Sequence, residues 1–525
     1  MKDASLKSAA LLCVLGLTGC GVGASGPVSP TPTASITALP AFFAVSGVPG
    51  TFQPAQCPFV LPQDMRQGED VECGYLTVKE ERGSEGDAPQ GRVLQLAVAI
   101  FHPPSGVTHP DPVVFLSGGP GASALEPMRY QYEALSEPVF ATGRDLVVFD
   151  QRGTGFSQPR LACNIAADYA GSLAQDERLS ELAWEAARMP ACQQELEAQG
   201  IHLSAYTTLA SAADLHDLIL ALGYEQVNLF GQSYGTNLAL TYLDEYGAQG
   251  KLRSLVLDGV APPETDLFAE RGRNAQGAFQ AIFEACAADP ACSKAFPDAE
   301  QRFYSLLEHM AADPITLTAD ETGRQPVVVN DHRLLEALYR TAYFSDRIPN
   351  IPAMLAGFEG GDYRLFRKAL DDMLASATSV DSGVYYAIRC SDQSRLPTAP
   401  ADSLELSPAL QDYFRTTEQA MRRFCANLGD GRQVEQVHPA LDRATPVLLL
   451  SGAFDPATPP ALAEMVAKRL ANAFHYTSPT GSHDQLAVDT CAQTITTRFV
   501  QDLTPPDDPC LEQEVRPYFF TGGGN

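Results

Sequence analysis

Gly231-Gln232-Ser233-Tyr234-Gly235 constrains this chain more than any other stretch. An apolar run from Val227 to Phe230 leads into it, and Thr236 to Leu243 reads as a helix after it. Strand, tight turn and helix together form a setting that lifts a serine hydroxyl clear of a sheet. The two glycines permit a turn too tight for Cβ atoms. The helix N-terminus beneath Ser233 favours developing negative charge. This context predicts a nucleophile at Ser233. The pentapeptide by itself is equally a glycine turn joining a strand to a helix.

The surrounding pattern predicts an α/β fold with a mainly parallel sheet. Gly74–Val78 and Val93–Ile100 read as strands joined by a polar link from Gly83 to Gly91. Pro112–Leu116, Leu146–Phe149, Leu255–Leu257 and Pro446–Leu450 are short unbroken apolar runs, as buried parallel strands require. A last strand is expected at Phe474–Thr477. Residues 161–200 look helical, and Ala212–Leu222 is an amphipathic helix. From about Pro262 to Asp442 strand signals fade and helical periodicity dominates, which marks an inserted second lobe. A chain of 525 residues is longer than one core ordinarily sustains. The reading is therefore a leader at 1–19, a tether at 20–50, a core at 51–261, a helical cap at 262–442 and the rest of the core at 443–525.

Acyl transfer by serine needs a base to take its proton, an acid to orient the base, and donors for the oxyanion. The expected order along such a chain is Ser, acid, His. Asp455 lies just past the strand ending at Leu450, and His483 just past Thr477. Ser233, Asp455 and His483 are the expected catalytic set. For each partner a loop or capping role is the plainer alternative. Ser117-Gly118-Gly119-Pro120-Gly121 follows an expected strand and can expose backbone N–H groups. Gly119 and Tyr234 are the expected oxyanion donors. Arg152, in Asp150-Gln151-Arg152-Gly153, is expected to form a structural pair with a carboxylate near the site.

The first residues resemble an export signal. Lys2 and Lys7 precede a short apolar stretch, Ala9–Leu17, too short to span a bilayer. Leu17-Thr18-Gly19-Cys20 resembles a bacterial lipobox, which implies cleavage before Cys20 and lipid attachment to it. Setting aside Cys13 and Cys20 leaves ten of the twelve cysteines. An even set in an exported chain points to disulfides, whose connectivity sequence leaves open. Pairing sequence neighbours gives 57–73, 163–192, 286–292, 390–425 and 491–510. No metal-ligand spacing and no cofactor motif is present, so neither metal nor cofactor is expected. A formal charge of −28 argues against nucleic acid or an anionic membrane face as partner. Contact with a membrane is expected through the lipid alone.

Four segments together carry a family resemblance: Ser-Gly-Gly-Pro-Gly at 117–121, Asp-Gln-Arg-Gly at 150–153, Gly-Gln-Ser-Tyr-Gly-Thr at 231–236 and Gly-Ala-Phe-Asp-Pro-Ala-Thr-Pro at 452–459. They resemble the proline iminopeptidase and tripeptidyl aminopeptidase branch of the α/β-hydrolases. The resemblance implies a serine peptidase with a helical cap, acting on peptide substrates near free N-termini. It also implies Ser233, Asp455 and His483 as triad and Gly119 with Tyr234 as oxyanion hole. Two positions depart from the pattern. Residue 117 is Ser where proline iminopeptidases usually carry His, and Gly481-Ser482-His483-Asp484 lacks the common Gly-His-Gly form. An exopeptidase must also hold the substrate ammonium, and Asp392 is the expected anchor, with Glu359 as substitute. A structural ion pair with Arg389 or Arg395 is the plainer reading of Asp392. Two other functions fit the same residues: a carboxylesterase with this triad, and a surface lipoprotein that binds peptides without turnover.

Overall fold

The computed structural model describes residues 46–521 except 63, 83–91, 164, 394–405, 429–443 and 514–517. The expected leader, lipobox, most of the tether and the 83–91 link lie outside the described residues.

The strands are β1 (Thr51–Pro54), β2 (Val71–Lys79), β3 (Val93–Phe101), β4 (Val113–Leu116), β5 (Leu146–Phe149), β6 (Val227–Gln232), β7 (Leu252–Asp258), β8 (Ile315–Leu317), β9 (Val327–Val329), β10 (Val447–Gly452) and β11 (Ala473–Ser478). Nine of them form one sheet in the order β1-β2-β3-β5-β4-β6-β7-β10-β11. The first three joints are antiparallel, and every joint from β5 to β11 is parallel. Each of β4 and β5 is buried along its whole length, as expected of strands covered on both faces. Val113, Phe115, Leu146, Val148 and Phe230 enter one core with Met128, Val139, Ile495 and Phe499, from the helices Met128–Phe140 and Thr490–Asp502. Val114, Val147 and Leu229 alternate to the opposite face. The helices Thr208–Ala221 and Tyr234–Tyr246 pack there.

The sheet places the expected site by register. Strand β6 lies between β4 and β7, with Leu116 paired to Gly231 and Gln232 to Asp258. The loops after β4, β6, β10 and β11 therefore leave the same edge of the sheet, where open α/β sheets bind ligands.

The helical layer draws on two stretches of chain rather than on 262–442 alone. Helices Ile165–Ser172, Glu181–Ala186 and Met189–Ala198 precede the nucleophile strand. They pack against Arg364–Ala377, Pro408–Asn427 and Ser382–Gln393 respectively. The second stretch also holds the two-stranded β8–β9 sheet, which helical periodicity did not announce. Among the described residues five disulfides form, and each joins the sequence neighbours expected: 57–73, 163–192, 286–292, 390–425 and 491–510. Among the described residues no helix is long and apolar enough to cross a membrane.

Candidate active site

Ser233 sits between β6 and the helix Tyr234–Tyr246 with φ 54° and ψ −120°. An L-residue rarely adopts this backbone, and strain of this kind is a mark of functional positions. The flanking glycines are obligatory for steric reasons. A Cβ on Gly235 would lie 1.9 Å from the Leu116 carbonyl oxygen, and one on Gly231 would lie 2.5 Å from that of Gly235. The turn thus packs its backbone directly onto β4.

His483 and Asp455 meet this serine. His483 Nε2 lies 2.9 Å from Ser233 Oγ, and His483 Nδ1 lies 2.8 Å from Asp455 Oδ2. Asp455 is buried, and its carboxylate is fixed by three further donors. The Ala457 and Thr458 N–H groups donate to Oδ1 at 2.8 and 2.9 Å, and the Thr458 hydroxyl donates to Oδ2 at 2.8 Å. Thr458 Oγ1 is also 3.1 Å from His483 Nδ1. The Gly-Ala-Phe-Asp-Pro-Ala-Thr-Pro segment is therefore a clamp that orients the acid as well as supplying it. The ring of Tyr343 stands edge-on to the imidazole with centroids 5.0 Å apart, and the Tyr343 carbonyl accepts from the His483 N–H at 3.3 Å.

Charge around the imidazole is strongly negative. Burial pulls its pKa down, but the Asp455 carboxylate and the further charges of Asp258 and Asp484 outweigh burial and raise it above the ordinary 6.5. Asp258, at the end of β7, is fully buried and accepts from the Gln485 and Leu486 N–H groups at 3.0 and 3.1 Å. It thereby holds the turn that carries His483. Neither Asp258 nor Asp484 belonged to the expected site. An acid ending a strand was the available signal for Asp258, and it is shared with many loop residues.

Gly118 and Gly119 lie beside the serine. A Cβ on Gly118 would be 3.0 Å from that of Ser233. Gly119 has φ 106°, a backbone that glycine adopts readily. Among the described residues neither the Gly119 nor the Tyr234 N–H donates to a protein acceptor. Tyr234 adjoins Ser233 in the chain and Gly119 adjoins Gly118, so both N–H groups are candidates for stabilising an oxyanion.

The expected amine anchors fall in different places. Tyr385, Arg389 and Asp392 share one face of the helix Ser382–Gln393, at i, i+4 and i+7. Arg389 Nη2 donates to the Gly119 carbonyl at 3.2 Å. Asp392 Oδ2 accepts from the Thr208 hydroxyl at 3.0 Å, and that hydroxyl is 2.9 Å from the Tyr234 hydroxyl. This helix face thus closes over the elbow. Glu359 instead accepts from Arg302 Nε at 3.0 Å in a surface ion pair on the helical layer. Arg395 lies outside the described residues. Arg152 is fully buried and grips Asp214 through two bonds of 2.7 Å, with the Glu80 and Ala205 carbonyls as further acceptors. Its carboxylate partner is thus on the helix Thr208–Ala221. Among the described residues no group of three or more His, Cys, Asp or Glu side chains is arranged to hold a metal ion.

Comparison with known proteins bears on this geometry. The family model described as alpha/beta hydrolase fold matches residues 111–306, and that described as TAP-like protein matches 411–515. The serine protease Hip1 of Mycobacterium tuberculosis is 29% identical over 273 residues, covering 50% of this chain and 49% of the relative. Carboxylesterase B of M. tuberculosis is 27% identical over 453 residues, covering 80% and 84%. The tripeptidyl aminopeptidase of Streptomyces lividans is 30% identical over 214 residues, covering 39% and 38%. The chain spans about half the length of Hip1. By sheet order, elbow and the first family model, the chain has the α/β-hydrolase fold, and its C-terminal part matches the TAP-like model.

Proposed function

We propose that the protein is a serine exopeptidase that cleaves peptide bonds near free N-termini. The observation that carries the hydrolase chemistry is the continuous relay from Asp455 through His483 to Ser233, at 2.8 and 2.9 Å. In this reading Ser233 Oγ attacks the scissile carbonyl carbon while its proton passes to His483 Nε2. The carbonyl oxygen becomes an oxyanion that accepts from the Gly119 and Tyr234 N–H groups. Collapse breaks the C–N bond, and His483 returns the proton to the departing amine. Water then attacks the acyl-enzyme by the same route and restores Ser233. Asp455 keeps the imidazole in the tautomer that accepts at Nε2.

The exopeptidase part is supported by the cap helix Ser382–Gln393, which sets Asp392 two hydroxyl contacts from the elbow. A carboxylate there is a suitable partner for an ammonium. Similarity to a tripeptidyl aminopeptidase and to Hip1 supports a peptidase. Similarity to carboxylesterase B over 80% of this chain supports an esterase with the same triad as second reading. Asp392→Asn should raise KM for free-amine peptides by the worth of a charged hydrogen bond, about 1.5–3 kcal/mol. Equal loss on an amine-free ester would mean that Asp392 supports the fold and that the amine anchor lies elsewhere. Fluorophosphonate labelling that depends on Ser233 tests the nucleophile, and its absence would leave the third reading, peptide binding without turnover.

Five disulfides suit an oxidising, extracytoplasmic compartment. We place the protein there on a lipid at Cys20. Labelling by a fatty-acid analogue that survives Cys20→Ala would refute the anchor.

A further inference from the structure

Two arginines of the helical layer converge on the candidate site. Arg389 reaches the Gly119 carbonyl, and its guanidinium lies 5.6 Å from the ring centroids of both Phe268 and Tyr385. Arg271 follows Phe268 by one helical turn, on the same face of the helix Leu267–Ala288. Its guanidinium lies 4.9 Å from the ring centroid of Tyr339, and Tyr343 and Tyr385 are among its close neighbours. Tyr343 touches His483, and Tyr385 is shared with Arg389. The Nε of each arginine is shut off from solvent with no hydrogen-bond partner among the described residues, although each residue keeps some accessible surface. Glu181, whose charge Arg271 feels, is held by Arg340 at 2.7 Å, and Glu336 also pairs with Arg340.

Guanidinium groups are planar forks that match a carboxylate, and partly buried positive charges lacking a counter-ion favour an incoming anion. A chain with formal charge −28 has abundant acids, yet Glu181, the acid whose charge reaches Arg271, is taken by Arg340. We infer that Arg271 and Arg389 form a carboxylate subsite, so that preferred substrates carry a negative charge a few bonds from the scissile carbonyl. The subsite rests on the hydrolase reading above and sharpens its substrate class. The carboxylate can come from the C-terminus of a short peptide or from an acidic side chain.

The full-length protein is assayed on matched pairs: a short peptide as free acid and C-terminal amide, the same peptide with Glu or Gln, and p-nitrophenyl hemiglutarate against p-nitrophenyl valerate. The peptide pairs separate the two sources of charge. At least one charged member should be preferred. Arg271→Gln and Arg389→Gln should each lower that kcat/KM ratio on the order of ten- to hundred-fold. Glutarate binding, followed by calorimetry, reads the subsite without turnover and should weaken in both variants. Should Arg271→Gln fail to fold, Arg271→Lys takes its place, since it keeps charge but loses the fork. Turnover of both members of every pair at equal rates, with no glutarate binding, would overturn the subsite while leaving the hydrolase standing. A ratio unchanged by the variants would mean that Arg271 only offsets Glu181. Loss of all turnover and of fluorophosphonate labelling in the wild type, with glutarate still bound, would sink the hydrolase and keep the subsite.

Discussion

His483 is caught between burial, which disfavours its charge, and three carboxylates, which favour it. The balance is a raised pKa, and its sign has a kinetic consequence. A general base works only when neutral, so the acid limb of kcat/KM should lie above pH 6.5, the ordinary value. Asp484→Asn removes one stabilising charge from the imidazolium and should move that limb to lower pH. A pH profile of the variant that coincides with wild type would mean that Asp484 is screened from the ring. Ser233→Ala should keep the fold and lower kcat on the order of 10⁶-fold. Near-wild-type turnover would dismiss the proposed mechanism. The three residues of the relay were legible in the sequence because each follows a strand in the required order. Thr458, Asp258 and Tyr343 were not, since their contribution is spatial: a hydroxyl, a buried carboxylate and a ring edge brought in from separate elements.

At the scale of elements, sheet strands are the readable part. Leu146–Phe149 is bounded as its apolar run predicts, because a strand covered on both faces must be apolar throughout. Thr51–Pro54 escaped the pattern, being a half-exposed edge strand with mixed residues. The helix Met128–Phe140 escaped for another reason: Pro138 lies inside it and breaks the expected pattern. Arg152 shows how elements are tied together. Its bonds join the end of β2, the helix Thr208–Ala221 and the turn at Ala205. Removing one partner from a buried pair leaves the other uncompensated. Arg152→Gln should therefore cost about 3–5 kcal/mol of stability, read by denaturant unfolding. The folded fraction should keep its kcat. A stable variant with lost turnover would assign Arg152 to the chemistry instead.

Across the whole molecule, the sequence announced a sheet with a helical insertion but not where that layer begins. Residues 161–200 carry no mark that separates cap from core, because a helix facing other helices and one facing a sheet share the same amphipathic period. The Cys390–Cys425 bridge closes a loop with a sequence separation of 35 and ties the helix over the elbow to Pro408–Asn427. Cys390→Ser with Cys425→Ser should cost about 3–4 kcal/mol by loop entropy. Because Arg389 adjoins Cys390, KM should rise before kcat falls. Thermal unfolding and kinetics check the two effects separately, and an unchanged KM would mean that packing alone holds the helix.

The two-stretch construction of the helical layer also bears on how members of such a family exchange specificities. A lid carried on one insertion can be swapped with two cuts in the gene. Here residues 165–198 precede the nucleophile strand, and the remaining layer helices, from Leu267 to Asn427, follow it. A chimera that transplants only the later stretch would set foreign helices against native Glu181–Ala186 and Met189–Ala198, and its interface would be mismatched. Recombination with a relative needs four crossovers to deliver an intact lid, which binds the inheritance of substrate preference to the inheritance of the elbow lying between them.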